Sequence, residues 1–283
     1  MLKLRVFYGL SLDFPFILMR DEGFLMKLSV AMIAHNEAHQ IIRSLESVRW
    51  ANQVIVVDTD SADGTGELAS QWGAEVIRVP NNPNLNINKN IAISACTGDW
   101  ILVLDADEVI PEKLALEIHQ SLYSQNYDGY LIPRRNFVWG RWLRFGSQYP
   151  DYQLRLFRRG KGIFPANHIH ERLVVEGKVG KLREPMEHYP YPDLESMLKK
   201  NIRDARFEKK YLYMKGLRAS WGRVLWFGVL GAKIRLFRRL FLKGGFLDGP
   251  PGLTMAFFDA FNRILRWFLL WEEEFKARRD EKR

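Results

Sequence analysis

Asp105, Asp107 and Glu108 put three carboxylates within four residues, directly after an apolar run, Trp100 to Leu104, with the length and composition of a buried strand. Acids at i and i+2 project to the same side if strand geometry persists past the end of a sheet. Hard oxygen donors so placed suit Mg2+ or Mn2+ shared with a diphosphate, because such ions take few protein carboxylates and keep coordination positions for phosphate oxygens. The same residues also fit a strand-end turn before a helix, with Pro111 in its first turn.

Other polar groups follow other strands. Leu28 to Ala34 reads as a strand and ends in His35, Asn36 and Glu37; Val54 to Val57 ends in Asp58, Asp60 and Asp63. Three acids within six residues at the end of a buried strand repel one another unless backbone donors, a cation or ribose hydroxyls offset the cost. Asp63 or Thr65 as a helix cap accounts for one of them, leaving Asp58 as an acceptor for a nucleoside at the sheet edge. Lys89 is the one candidate basic contact to phosphate or base near the central strand, with a solvated helix lysine as the alternative.

The elements that would position these groups alternate. Helices are expected at His39–Val48, around Glu67–Trp72 and at Lys89–Ala95, and a third strand at Val76–Val79, followed by an Asn- and Pro-rich loop over Pro80–Asn86. Strand and helix in this alternation predict βαβ units and a mainly parallel α/β sheet flanked by helices. Neither a GxGxxG nor a Walker-type phosphate loop follows any strand, so neither of those nucleotide fingerprints is present.

With 283 residues, 47% of them hydrophobic, the chain can bury a sizeable core, which excludes a disordered protein. A single cysteine, Cys96, excludes an intrachain disulfide and fits a reducing compartment. The formal charge of +9 implies an anionic partner. That charge is local: residues 199–243 carry fourteen Lys or Arg against two acids. Between Trp221 and Leu242 aromatic and aliphatic residues alternate with Arg and Lys at helical spacing, as in helices that lie in a membrane interface; packing on the catalytic part or a homodimer interface are the alternatives. A break at Gly244–Gly252 precedes a second amphipathic helix at Met255–Trp271 and a charged tail. Three segments are expected: an N-terminal extension (1–25), a catalytic domain (26–195, with halves 26–110 and 111–195) and a basic amphipathic helical region (196–283). A nucleic-acid-binding protein is the rival class, but acidic strand ends would repel phosphate unless a metal intervenes.

Residues 28–37 (LSVAMIAHNE), Val56 through Thr65, Lys89-Asn90 and Leu104 to Glu108 together resemble the nucleotide-sugar half of glycosyltransferase family 2, which has the GT-A fold. Asn136-Phe137, Gly140 to Trp142, Tyr149 to Arg159 and His170 to Gly177 resemble the branch of lipopolysaccharide core glucosyltransferases of the WaaE/KdtX type. Two stretches depart from the family pattern, Asp58 to Asp63 and Asn84 to Asn88, and both touch the donor pocket. The resemblance implies an inverting transfer of a hexose, glucose from UDP-glucose, onto an anionic lipid-linked saccharide at the inner face of the cytoplasmic membrane, with a polyprenyl phosphate or a peptide side chain as the alternative acceptors. It further implies that Asp107 holds the metal, with Asp105 aiding it or holding the ribose, and that Asn36, Glu37 and Asp58 hold the base and ribose. Asp60 and Lys89 are further candidate donor contacts, and His170 is a candidate for the metal or diphosphate with a structural histidine as the alternative. Asp151 is then the first choice for the base that takes the acceptor's proton, and Glu171 the second.

Overall fold

A computed structural model describes residues 26–82, 84–165 and 172–280. The expectations for residues 1–25, for His170 and for Glu171 fall outside the described residues.

Four parallel strands form one half of the main sheet: β1 (Leu28–Ala34), β2 (Gln53–Asp58), β3 (Glu75–Arg78) and β4 (Trp100–Asp105), in the order β3-β2-β1-β4. Between them run α1 (Ile41–Glu46), α2 (Thr65–Trp72) and α3 (Leu85–Ala95). The strands are apolar on both faces because helices cover both. Val54, Val56, Leu102 and Leu104 pack against Ile41, Leu45 and Ala69 of α1 and α2, whereas the alternate residues Ile55, Val57, Ile101 and Val103 pack against Ala92 and Cys96 at α3. Cys96 is a buried small residue, and burial pushes its thiol up to about 12.

Past β4 come β5 (Glu108–Val109), α4 (Glu112–Leu122), β6 (Gly129–Val138), β7 (Arg141–Trp142), β8 (Asp151–Arg158), β9 (Gly162–Ile163), β10 (Val174–Val175), β11 (Val179–Lys181) and β12 (Met186–His188). β8 runs antiparallel between β4 and β6, so its first residue lies at the edge where β4 ends. Beyond β6 the order continues through β12 to β5, and β9 and β10 form a separate pair. The sheet is mixed, parallel on the β1 side and largely antiparallel beyond β4.

α5 (Leu194–Met214) leads into helical turns from 221 to 242 that alternate α and π geometry, then a 3-10 turn (Gly245–Asp248) and a long helix, Gly249–Asp280. The long helix starts six residues before the expected Met255, with Pro250 and Pro251 in its first turn where no N–H is needed. It also continues through most of the stretch read as a tail, held to α5 by Arg266–Glu208 and Lys209–Glu273, both 2.6 Å. Buried Asp248 accepts from the backbone N–H groups of Arg144 and Phe145 at 3.1 and 2.9 Å, which ties the helices to the β7 side of the sheet. Among the described residues, no helix is long and apolar enough to cross a membrane.

Candidate active site

A cavity of about 610 Å3 opens where β1 and β4 end, β8 begins, and β6 and β12 reach the same edge. Glu37, Lys89, Asp105, Asp107 and Asp151, which sequence reasoning picked from four separate segments, all line it.

Beneath the cavity runs a chain of alternating charge. Asp105 accepts from Lys89 at 2.8 Å and from Arg155 at 2.6 Å. Arg155 also reaches Glu108 at 2.6 Å, Glu108 accepts from Arg134 at 3.1 Å, and Arg134 donates through Nε and Nη2 to Asp151 Oδ2 at 2.9 and 2.7 Å. Glu108 is the hub: wholly buried, it also accepts from the Asp105 backbone N–H at 3.0 Å. At Asp105, Asp151, Arg134 and Arg155 burial works against the charge, but opposite neighbours outweigh it. Asp105 is held well below the ordinary carboxylate range by Arg155 and Lys89, Asp151 is lowered by Arg134 and Gln153, and Arg155 is raised by Asp105 and Glu108. In sequence Arg155, Arg158, Arg159 and Lys161 form a basic cluster that would suit an anionic acceptor or a solvated strand face. The structure corrects this: alternation along β8 turns Arg155 into the protein, and Arg158 stacks on Trp100 at 4.6 Å.

Asp107 faces a different partner. The parallel register of β6 and β12 sets His188 beside Asn136, and His188 Nδ1 lies 2.7 Å from Asn136 Oδ1. Because Asn136 Nδ2 donates to the Gln148 carbonyl, its Oδ1 is the acceptor and His188 Nδ1 carries the proton. A neutral His188 would set an Nε2 lone pair 3.2 Å from Asp107 Oδ2, two acceptors face to face, with Lys200 Nζ 3.9 Å from the same oxygen. Such a pair needs positive charge between or beside it, from a proton or from a metal ion. Asp107 is lowered below its usual range because His188 and Lys200 outweigh the upward push of burial. Among the described residues no three His, Cys, Asp or Glu side chains form a metal-holding group. One carboxylate and one imidazole nonetheless fit a divalent ion whose remaining positions go to diphosphate and water.

One part of the cavity is built by the loops after β1 and β2. Asn36, at φ 56°, accepts from the Ala62 N–H at 2.9 Å and takes the Ser61 hydroxyl at its own N–H at 3.0 Å. Asp58 is buried under that loop; a Cβ on Gly66 would sit 2.5 Å from its Oδ2, so only glycine lets α2 approach. Asp60 is exposed at φ 60°. These three residues do not line the cavity. Glu37 does, and burial raises its carboxyl above the usual value. α3 begins four residues before the expected Lys89, capped by the Asn84 side chain. Its asparagines are structural: Asn86 and Asn90 donate to the Pro165 and Phe164 carbonyls at 3.1 and 2.8 Å.

Sequence reasoning missed Arg134, Asn136, Gln148, His188 and Lys200 as parts of this site. His188 carried a faint signal as a polar residue ending a short strand. Arg134 carried none, since its partner Asp151 is seventeen positions away and the two meet only through the β6–β8 register.

The model of the family described as glycosyl transferase family 2 matches residues 29–177, slightly more than half of the chain. The chain belongs to glycosyltransferase family 2. An uncharacterized glycosyltransferase of Rickettsia felis (strain ATCC VR-1525 / URRWXCal2) is 30% identical over 271 residues, covering 89% of this chain and 92% of the relative. The lipopolysaccharide core biosynthesis glycosyltransferase LpsC of Rhizobium meliloti (strain 1021) is 27% identical over 253 residues, covering 83% and 91%. Among solved structures, S. aureus TarS 1–349 is similar at 15% identity and a TM-score of 0.46, covering 86% of this chain and 91% of that one. In this glycosyltransferase the matched family segment covers β1 to β10, while β12 with His188, α5 with Lys200, the 221–242 turns and the long helix lie beyond it.

Proposed function

We propose that this glycosyltransferase transfers glucose from UDP-glucose, with inversion, onto a lipid-linked saccharide of the lipopolysaccharide inner-core type, at the inner face of a cytoplasmic membrane. The observation that carries the reading is the Asp107–His188 pair in a cavity where Lys89 and Arg134 are already bound to other carboxylates.

Asp107 and His188 would hold a Mg2+ or Mn2+ ion, which when bound supplies positive charge against the departing diphosphate. Lys89, set by Asp105, donates to a diphosphate oxygen, and Lys200 and Arg203 of α5 bring further positive charge to the cavity. Asn36, Asp58 and Asp60 shape the loop that receives the nucleoside. The acceptor hydroxyl forms its bond to the anomeric carbon as the bond to the diphosphate breaks, and its proton passes to Asp151. Arg134 occupies Oδ2 of Asp151 and Gln153 donates to Oδ1 at 2.7 Å, which leaves Oδ1 one further lone pair for that proton. The lowered pKa keeps Asp151 ionised; it becomes an effective acceptor only as the attacking hydroxyl turns acidic in the transition state.

Membrane contact is assigned to the 221–242 helical turns. Trp226, Ile234 and Leu242 there are 64%, 61% and 69% exposed, and Trp226, Leu230 and Ile234 share a groove with Arg235, Arg238 and Arg263. Apolar anchors beside arginines match an interface of acyl chains under anionic headgroups.

A thermal-shift panel of nucleoside diphosphate sugars with and without Mn2+ tests the reading. UDP-glucose with Mn2+ should give the largest rise, about 2.7 kcal/mol of stabilisation at a hundredfold excess over Kd. No response to any UDP-sugar with the metal present would reject it.

A further inference from the structure

A second groove, of about 350 Å3, lies beside the catalytic cavity and shares Tyr191 with it. One wall is a stack of three planar groups: the Arg43 guanidinium sits 3.6 Å over the Tyr189 ring, and Tyr189 lies on Phe137 with centroids 5.1 Å apart at 16°. The wall is anchored to the reaction centre, since the Tyr189 N–H donates to the Asp107 carbonyl at 2.8 Å. His39 adds a polar group at the rim.

The turn that completes the lining is unusual. Val138 pairs with Arg141, so Trp139 and Gly140 form a two-residue hairpin turn, with φ of 49° and 79°. Positive φ at both positions is what such turns need, and Asn-Gly is the pair that supplies it without strain. A tryptophan here works against the local geometry. The residue is 42% exposed, and among the described residues no ring stacks on it. Backbone strain that displays an aromatic face at a groove points to a ligand for that face.

We propose that this groove is an acceptor subsite, which binds a sugar ring of the acceptor saccharide remote from the reacting hydroxyl by stacking it on Trp139 in the groove shared with the Arg43–Tyr189–Phe137 stack. Sugar rings present C–H faces to aromatic planes and hydroxyls to the rim, which a flat aromatic slot with polar edges accommodates. Continuity through Tyr191 keeps such a chain in reach of the cavity. The inference rests on the reading of the protein as a transferase to a saccharide.

The test compares wild type, Trp139→Asn and Trp139→Tyr. The probes are core oligosaccharide freed from lipopolysaccharide by mild acid, and UDP with Mn2+, each titrated calorimetrically. Trp139→Asn installs the favoured turn pair, so its Tm should equal or exceed that of wild type, while oligosaccharide Kd rises at least tenfold and UDP Kd stays within twofold. Trp139→Tyr should recover most of the oligosaccharide affinity. An unchanged oligosaccharide Kd in Trp139→Asn overturns the proposal, as does a parallel loss of UDP binding. Wild type that binds UDP but no oligosaccharide overturns it while leaving the donor reading intact; wild type that binds oligosaccharide but no UDP does the reverse. Conversion of a dimer to a monomer in Trp139→Asn would assign this face to a second copy of the chain and also overturn it.

Discussion

Arg155 and Arg238 are the same side chain in opposite settings. Arg155 is buried at the sheet edge, bonded to Asp105 and Glu108 at 2.6 Å each, whereas Arg238 lies exposed among Trp226, Leu230 and Ile234. Lys233, Arg238 and Lys243 make no ion pair with a described residue, although neighbouring Arg235 and Arg239 both engage Asp259. The two regions show what pairing does to a charge. Inside, each cation is bound to a carboxylate, so it fixes geometry and contributes rigidity. On the helical surface the charges keep their field and their hydration, and they remain available to a partner.

Breaking the buried network should have the largest effect. Glu108→Ala strands Arg134 and Arg155 without their shared partner and should cost about 3–5 kcal/mol in denaturant unfolding. A loss below 1 kcal/mol would mean that the network is not what holds this edge. Asp151→Asn should lower turnover about 10²- to 10⁴-fold while UDP affinity, read separately by calorimetry, stays unchanged. Unchanged turnover would remove Asp151 from the reaction.

A smaller effect is expected on the outside. Replacing Lys233, Arg238 and Lys243 together with Gln should weaken binding to vesicles rich in anionic lipid by about 3 kcal/mol, roughly a hundredfold. Each single replacement should shift folding stability by less than about 0.5 kcal/mol. Vesicle sedimentation that does not change would end the membrane assignment.

The smallest difference is in pH dependence. The folded-state pKa of Asp151 lies below its ordinary value of 3.8, so the stability it contributes is complete above that value and lost as pH falls through the lower, folded one. The stability difference between wild type and Asp151→Asn should therefore be flat from pH 7 to about 5 and shrink only below about pH 4. A difference that shrinks between pH 5 and 7 would show that Asp151 is not held by Arg134 in solution.

Much of this site was legible in the sequence because it lies where local pattern and chemistry coincide. Apolar runs ending in Asn36-Glu37, Asp58 and Asp105-Ala-Asp107 announce strands and their carboxyl ends together, and the parallel order of β1, β2 and β4 then brings those ends to one edge. What was not legible depends on register. Arg134 meets Asp151, and Asn136 meets His188, only because β6 pairs with β8 and β12 at those residues. Composition could not show that Glu108 turns inward to join two arginines, whereas Asp107, one residue earlier, faces His188. Helix boundaries failed for similar reasons: α3 starts early because Asn84 caps it, and Asn86 and Asn90 are fastened to the 164–165 segment.

The central claim is that Asp107 and His188 turn this sheet edge into a cation-dependent diphosphate site. It is tested most directly by calorimetric titration of UDP into wild type and Asp107→Ala, each with Mn2+ and with EDTA. The account predicts at least tenfold tighter binding with Mn2+ in wild type and no such gain in the variant. Equal affinity with and without the metal in wild type, or a metal-dependent gain that survives in Asp107→Ala, would contradict it.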